Sequence, residues 1–376
     1  MGRRGNGEGS ITRHKKSGKW MARYWVETPE GRKRRTLYAD TRKEVADKLA
    51  AALAEASNGL VYDAEDATLA DYLTRWLEDC VRGSVRPTTH KSYAWLMQRH
   101  AIPAIGHIKL KKLTPAHLQG LYRAKLDGGL SPRTVQYLHV VLHRALKQAL
   151  RWGLISRNPA EAVDPPKVRK EEMRPLSPEE ARRFLEAAEG DRLEALYVLA
   201  LTTGMRQGEL LGLKWEDIDL DAATLTVRRT LTAAEGGRPL FSSPKTAKGR
   251  RSIRLTPGAV AALKAHKVRQ AEEKLRSPLW KDYGLVFTTE AGTPIDRHNL
   301  IQRSFLPLLR RAGLPKIRFH DLRHTAATLL LSKGQHPKLV QELLGHSTIA
   351  ITLDTYSHVL PGMGDTLAAA MEEALG

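Results

Sequence analysis

The stretch DPPKVRKEEMRP, residues 164–175, carries three prolines and seven charged side chains. Proline cannot donate a hydrogen bond into a helix or a central strand, and no apolar period runs through these twelve residues. No regular element can cross them. A chain of 376 residues interrupted in this way must fold in separate parts, and the stretch reads as an interdomain linker.

Residues 10–39 alternate as strands do. Trp20, Ala22, Tyr24 and Val26 fall on one face, with Met21, Arg23, Trp25 and Glu27 on the other. Ser17-Gly18-Lys19 and Pro29-Glu30-Gly31 mark turns, so a three-stranded sheet is predicted. A helix through Val45, Leu49, Ala52 and Leu53 follows, opened by a capping box of Thr41 and Glu44. The basic cluster Arg32, Lys33, Arg34 and Arg35 falls on the third strand or the turn before it. Such charge guards an exposed sheet edge, and a ribbon bearing it also fits a major groove.

After a polar connection at 57–67, residues 64–163 read as helical. Leu69, Tyr72, Leu73, Trp76 and Leu77 repeat on one helix face. A second helix starts at Arg86-Pro87 and carries Tyr93, Leu96, Met97 and His100. A long third one opens with Ser131 as N-cap and Pro132 at the first helical position, ending near Trp152-Gly153. Aromatic residues at helical spacing belong to a core, so phosphate contacts are expected instead from Lys109, Lys111, Lys112, Arg133 and Lys147. The fold class is therefore multidomain α+β: a small three-stranded sheet with a helix (1–57), a helical domain (64–163), the linker (164–175), and a mainly helical domain with a small β-sheet (176–376).

Charge narrows the partner. Residues 1–62 carry 14 basic and 7 acidic groups, 63–164 carry 15 and 9, and 165–376 carry 32 and 25, for a net +20. A basic tail on a neutral enzyme would concentrate the excess; here every part is positive, as expected of segments that each lie against nucleic acid. Cys80 is the only cysteine, which excludes an internal disulfide and a thiolate metal cluster. No apolar run approaches the ~18 residues of a membrane span, and MGRRGNGEGS lacks the apolar core of a signal peptide. An intracellular protein is expected, in the cytoplasm.

Four marks stand in the last domain. In TTGMRQGELLGLKW, Arg206 follows a glycine between two helices, and Glu209 lies one turn on, where a carboxylate can orient a guanidinium whose fork suits phosphate oxygens. Next comes a predicted hairpin, Leu225–Arg228 with Ser252–Leu255, whose basic connection holds Lys245 and Lys248. In HDLRHTAA, His320, Arg323 and His324 share a helix face. Two histidines at that spacing can chelate zinc, but Asp321 replaces the glutamate of the protease motif, and Arg323 would set a cation beside the metal. His324 reads instead as a structural, hydrogen-bonded histidine. Last, in LLGHS, Gly345 ends a helix begun at Pro337, and Tyr356 stands ten residues after His346.

Taken together, TTGMRQGELLGLKW, PKT, HDLRHTAA, LLGHS and Tyr356-Ser357-His358 resemble the tyrosine site-specific recombinases, the phage integrase family. The likeness covers most of the chain. Residues 64–163, with IPAIG at 102–106 and LTP at 113–115, resemble that family's core-binding domain. The front sheet resembles the arm-type DNA-binding domain of integrases from phages and integrative elements.

The resemblance implies an active site of Arg206, Lys245, His320, Arg323, His346 and Tyr356, with Glu209 in support. Tyr356 would form a 3′-phosphotyrosyl link and release a 5′-hydroxyl. Attachment-site DNA, a homotetramer upon it and an excisionase or host DNA-bending protein are the partners implied. No cofactor is expected: there is no P-loop for ATP and no acidic cluster for a metal. Other classes with related features are a catalytically inactive DNA-binding or architectural protein, a type IB-like topoisomerase and a metal-dependent nuclease. The first is disfavoured because all six positions carry competent side chains, and the second has no need of the front domain.

Overall fold

The computed structural model describes residues 10–15, 17–28, 31–57, 67–168, 173–235, 238–242, 249–356 and 371–375. Two units divide the chain, Met1–Lys170 and Glu171–Gly376.

In the first unit, strands Ser10–Arg13, Trp20–Thr28 and Gly31–Ala39 form an antiparallel sheet in chain order. Helix Arg42–Ser57 covers one face through Ala22, Tyr24, Ala39, Val45 and Leu49. The Thr41–Glu44 capping box is present: the Glu44 N–H donates to Thr41 Oγ1 at 3.2 Å, and the Thr41 N–H to Glu44 Oε2 at 3.3 Å. The basic cluster lies on the third strand. Arg23 and Trp25 are exposed on the opposite face as the alternation requires, but Met21 departs from it and is buried.

The helical part of this unit follows its apolar periods. Helix Leu69–Trp76 runs on through a wider turn to Val81, and Leu69, Tyr72, Leu73, Trp76 and Leu77 are all buried. Pro87–Leu96 runs on similarly to Ala101. The long helix Pro132–Arg151 starts at Ser131, whose hydroxyl accepts from the Thr134 N–H. Trp76 stacks on Tyr93 at 6.2 Å, and the buried Tyr72 hydroxyl donates to the Ala145 carbonyl at 2.5 Å. Not every aromatic residue is core: Trp95 and Tyr137 are exposed.

The second unit is built on helix Glu194–Thr203 (EALYVLALTT), apolar nearly all round and therefore enclosed on every side. Pro178–Ala188, capped by Ser177 and Glu180, and the long Pro257–Arg276 pack around it. Strands Ile218–Asp219, Thr224–Val227 and Arg251–Arg254 make a small antiparallel sheet in which Leu225 faces Ile253. That pairing is the one the sequence suggests, but the connection differs. A second antiparallel pair, Thr230–Glu235 with Arg238–Ser242, stands between the two strands in the chain. Helices Asp321–Ser332, Pro337–Leu344 and Ile349–Tyr356 complete the unit, sharing a small core of Ala327, Leu331, Val340, Leu344 and Tyr356. Among the described residues, no helix is long and apolar enough to cross a membrane.

Gly190 and Gly204 both have positive φ, +72° and +60°. A Cβ at Gly190 would meet open space, whereas one at Gly204 would sit 2.5 Å from Leu344 Cδ2 and 3.6 Å from Ala326 Cβ. Gly190→Ala is therefore expected to cost about 1–2 kcal/mol, the left-handed penalty alone. Gly204→Ala should cost clearly more, because the fully buried Leu344 side chain must shift as well. Urea unfolding midpoints of the two variants test this; equal losses would mean that the contact relaxes freely.

Candidate active site

Two left-handed glycines aim the site. At Gly204, φ +60°, the apolar helix stops and the chain turns into Arg206, the N-cap of the short helix Gln207–Leu211. At Gly345, φ +66°, helix Pro337–Leu344 stops and the chain turns into His346. The Gly204 turn lies against Leu344, with Arg323 Cγ 3.8 Å from where a Cβ would stand. The conformation glycine permits and the close approach it allows therefore act at one place.

Glu209 holds the first arginine. Its carboxylate is 1% exposed; one oxygen accepts from Arg206 Nη1 at 2.7 Å and the other from Arg251 Nη2 at 2.9 Å. Burial would raise its pKa, but Arg251 and Arg206 prevail and hold it below the ordinary carboxylate range. Arg251 also donates through Nε to the Leu343 carbonyl at 2.6 Å. A single arginine thus ties the strand Arg251–Arg254 to Glu209 and to the helix that precedes His346. Sequence spacing did not reveal it: Arg251 is 42 residues from Glu209 and reads as one more cation in a basic run.

Arg323 is buried on helix Asp321–Ser332, 2% exposed. Its Nη1 donates to the Gly204 carbonyl at 2.8 Å, while Nη2 has no hydrogen-bond partner among the described residues. An unmet buried donor costs about 1–3 kcal/mol, and more when charged. Burial, then Arg206 and Arg251, press its pKa down to about 9, with Glu209 and Tyr356 opposing. The guanidinium stays charged at neutral pH with an N–H free to meet an anion.

His320 precedes the same helix as its N-cap residue. Partial removal from water, then His324, Arg323 and Arg206, lower its pKa to about 4. His346 is likewise lowered to about 4 by burial, Arg323 and Arg206, and its Nδ1 lies 2.8 Å from Thr352 Oγ1. Both rings are neutral near pH 7. Tyr356 ends helix Ile349–Tyr356 and is 1% exposed. Burial pushes its phenol up to about 12, against the pull of Arg323. The hydroxyl lies 2.6 Å from His324 Nδ1.

Arg206, His320, His346 and Tyr356, with Glu209, thus form one electrostatic cluster around Arg323. Lys245 and Lys248 lie outside the described residues. His324 is hydrogen-bonded, as its sequence reading held, but its partner is the tyrosine of the site. Nothing in the HDLRHTAA spacing pointed to a partner 32 residues ahead.

Of the basic residues assigned to phosphate contact, Arg34 is exposed above the Trp25 ring at 5.8 Å, and Arg35 is half-buried. The side chains of Arg32 and Lys33 lie outside the described residues. Lys109, Lys111, Lys112, Arg133 and Lys147 are all exposed. Arg133 and Lys147 share one face of helix Pro132–Arg151 with the exposed Tyr137 and Arg144. Arg133, Tyr137, Lys91 and Trp95 line a groove of about 680 Å³, so a cation expected at phosphate stands beside aromatic faces whose spacing predicts a place in the core.

Comparison with known proteins adds independent findings. The family described as "Phage integrase family" matches residues 174–362, and "Phage integrase, N-terminal SAM-like domain" matches residues 68–126. A tyrosine recombinase XerC-like protein of Caldanaerobacter subterraneus subsp. tengcongensis is 36% identical over 347 residues, spanning 87% of this chain and 88% of the relative. Among solved structures, the Tn1549 transposon integrase in complex with transposon right end DNA superposes with a TM-score of 0.69 at 24% identity, covering 82% of this chain and all of that one. A lambda integrase tetramer bound to a Holliday junction gives 0.59 at 19% identity, over 90% of this chain and 95% of that one. These last two likenesses concern the fold.

The neutral histidines make stability depend on pH. His320 and His346 titrate near 4 when folded and at 6.5 ordinarily. Between those values the unfolded chain binds more protons, so stability rises with pH across the window and is lost as pH falls through it. The urea midpoint of the full chain should climb from pH 4 to pH 6.5, and less steeply in His346→Asn. An unchanged slope in that variant would show that His346 is not held neutral.

Proposed function

From the premise that this chain belongs to the phage integrase family and is a site-specific DNA recombinase, we propose that Tyr356 is its nucleophile and that Arg206, Lys245, His320, Arg323 and His346 complete the site. The observation that carries this reading is the unpartnered Nη2 of the buried Arg323, set within electrostatic reach of the phenol. A guanidinium so placed is matched to a phosphate oxygen arriving beside the tyrosine.

The chemistry is a transesterification. The Tyr356 oxygen bonds to the scissile phosphorus and the 5′-oxygen leaves, so the bond energy is stored and rejoining needs no ATP. Arg206 and Arg323 stabilise the charge on the pentacoordinate phosphorus, and the neutral imidazoles of His320 and His346 donate to its oxygens. Lys245 protonates the departing oxygen, since an alkoxide leaves poorly. Glu209 positions Arg206. Because Tyr356 stands beside Arg323 of its own chain, nucleophile and phosphate site are supplied by the same protomer.

The domains divide the remaining work: residues 1–57 bind arm-type sites, 64–163 bind the core site, 164–175 link, and 176–376 cleave. The groove around Arg133 and Trp95 supports a DNA face on the second of these. The substrate is double-stranded attachment-site DNA of a phage or mobile element, held by a homotetramer. An excisionase or host DNA-bending protein assists, and the work takes place in the cytoplasm on the nucleoid. Residues 371–375 are helical, and Met371 and Leu375, 57% and 80% exposed, stand one turn apart, an apolar pair suited to a neighbouring protomer.

Covalent adducts on DNA flanking the element give the direct test. Tyr356→Phe should keep site binding and lose every adduct, because one hydroxyl is removed and all cations remain. A variant that still forms a 3′ adduct rules out Tyr356.

The lysine is tested by replacing the bridging 5′-oxygen with sulfur, which leaves without a proton. Lys245→Ala should cleave ordinary DNA very poorly and the sulfur substrate nearly as well as wild type. Lys248→Ala should lose little on either. Sulfur rescue of Lys248→Ala instead would exchange the two assignments.

A further inference from the structure

We propose that His324 is a catalytic residue: its Nδ1 takes the phenol proton of Tyr356 as the tyrosine attacks phosphorus. The inference rests on the reading of Tyr356 as nucleophile and assigns the base that activates it. Its ground is the hydrogen bond of 2.6 Å between His324 Nδ1 and the Tyr356 hydroxyl, within reach for direct proton transfer.

The surroundings favour a neutral imidazole, the form that can accept a proton. His324 is held below the usual histidine range, by burial first and by Arg318 and Arg323 as well, while Asp321 pulls the other way. A ring so lowered is neutral at pH 7; with its proton assigned to Nε2, Nδ1 is bare and accepts from the phenol. A tyrosine pressed up to about 12 by burial cannot ionise unaided and needs an adjacent acceptor. The groups facing His324 are Asp321, Arg318 and Arg323 near its own helix, the His320 ring at 4.9 Å, His346, and the phenol itself. Asp321 is the anion among them. It accepts from the Arg318 N–H at 2.7 Å and from Arg318 Nη2 at 2.8 Å, and steadies the imidazolium formed when the proton arrives.

The step balances. The phenol O–H breaks and an N–H forms at Nδ1; the tyrosine oxygen bonds to phosphorus; the P–O5′ bond breaks, and its oxygen takes the proton that Lys245 supplies. In rejoining, the His324 imidazolium returns its proton to the departing phenol, base becoming acid. His324 and Lys245 thereby act on opposite oxygens of one phosphorus.

The test uses the full chain and a nicked duplex cut from the junction at which wild-type adducts map. The bridging-sulfur form of that duplex removes the need for an acid and isolates the base. His324→Gln can still hydrogen-bond the phenol but cannot take its proton. At pH 7 its single-turnover adduct rate should fall by about 10²-fold, and the deficit should shrink by about tenfold per pH unit as hydroxide replaces the base. Wild type should lose rate on acidification, and the variant should lack that inflection. A Gln variant within threefold of wild type with the same pH profile overturns the proposal, leaving His324 to position the phenol. If Gln does not fold, His324→Asn is read by the same criteria; a rate-preserving Asn variant overturns the proposal in the same way. Adducts formed by Tyr356→Phe would defeat the nucleophile assignment itself, an outcome separate from these.

Discussion

The site depends on one buried carboxylate. Glu209 stands between Arg206 and Arg251 at 2.7 and 2.9 Å with 1% of its side chain exposed. Removing the carboxylate from such a buried pair typically costs about 3–5 kcal/mol, because the buried charge of Arg251 is left without its counter-ion. The arrangement is retained because it gives direction: a long, flexible guanidinium is fixed at the start of a five-residue helix that has little rigidity of its own. Arg251 extends the same fixation to the Leu343 carbonyl, so the turn bearing Arg206 and the turn bearing His346 are held by one network.

That network is deliberately short of negative charge. Arg206, Arg251 and Arg323 gather around a single glutamate; burial first, and these cations after it, press His320 and His346 to about 4 and Arg323 to about 9. A protein selected for stability alone would add a second carboxylate. On the function proposed above, the missing charge is the one a phosphodiester would bring, and binding it would relieve the repulsion among the cations. Neutral imidazoles suit this economy, since they donate hydrogen bonds without adding to the repulsion.

Much of this was legible in the chain because the information is local. The capping pairs Thr41–Glu44 and Ser177–Glu180, the glycines at 204 and 345 and the apolar stripe from Leu69 to Leu77 each act within a few residues, where period and backbone conformation decide. Arg206 and Glu209 could be paired for the same reason. Arg251, the His324–Tyr356 bond and the extra strand pair between Val227 and Arg251 could not. They depend on contacts made across tens of residues, and a cation in a basic run or a histidine on a helix has no local mark of its partner. Exposed Trp95 and Tyr137 fall between the cases: helical spacing says which face a residue occupies, and the packing of neighbouring helices says whether that face is covered.

One small bond sets how the site is connected to the rest of the chain. The Leu176 N–H donates to Thr325 Oγ1 at 2.9 Å, and that hydroxyl donates in turn to the Asp321 carbonyl at 2.9 Å. Thr325 is fully buried, one residue beyond His324 and two beyond Arg323. The first residue after the proline-rich connector is therefore fastened to the first turn of the helix that carries three groups of the site. Leu176 is itself a core residue, so the chain is fixed here twice, by apolar packing and by a hydrogen bond that ends one residue from His324.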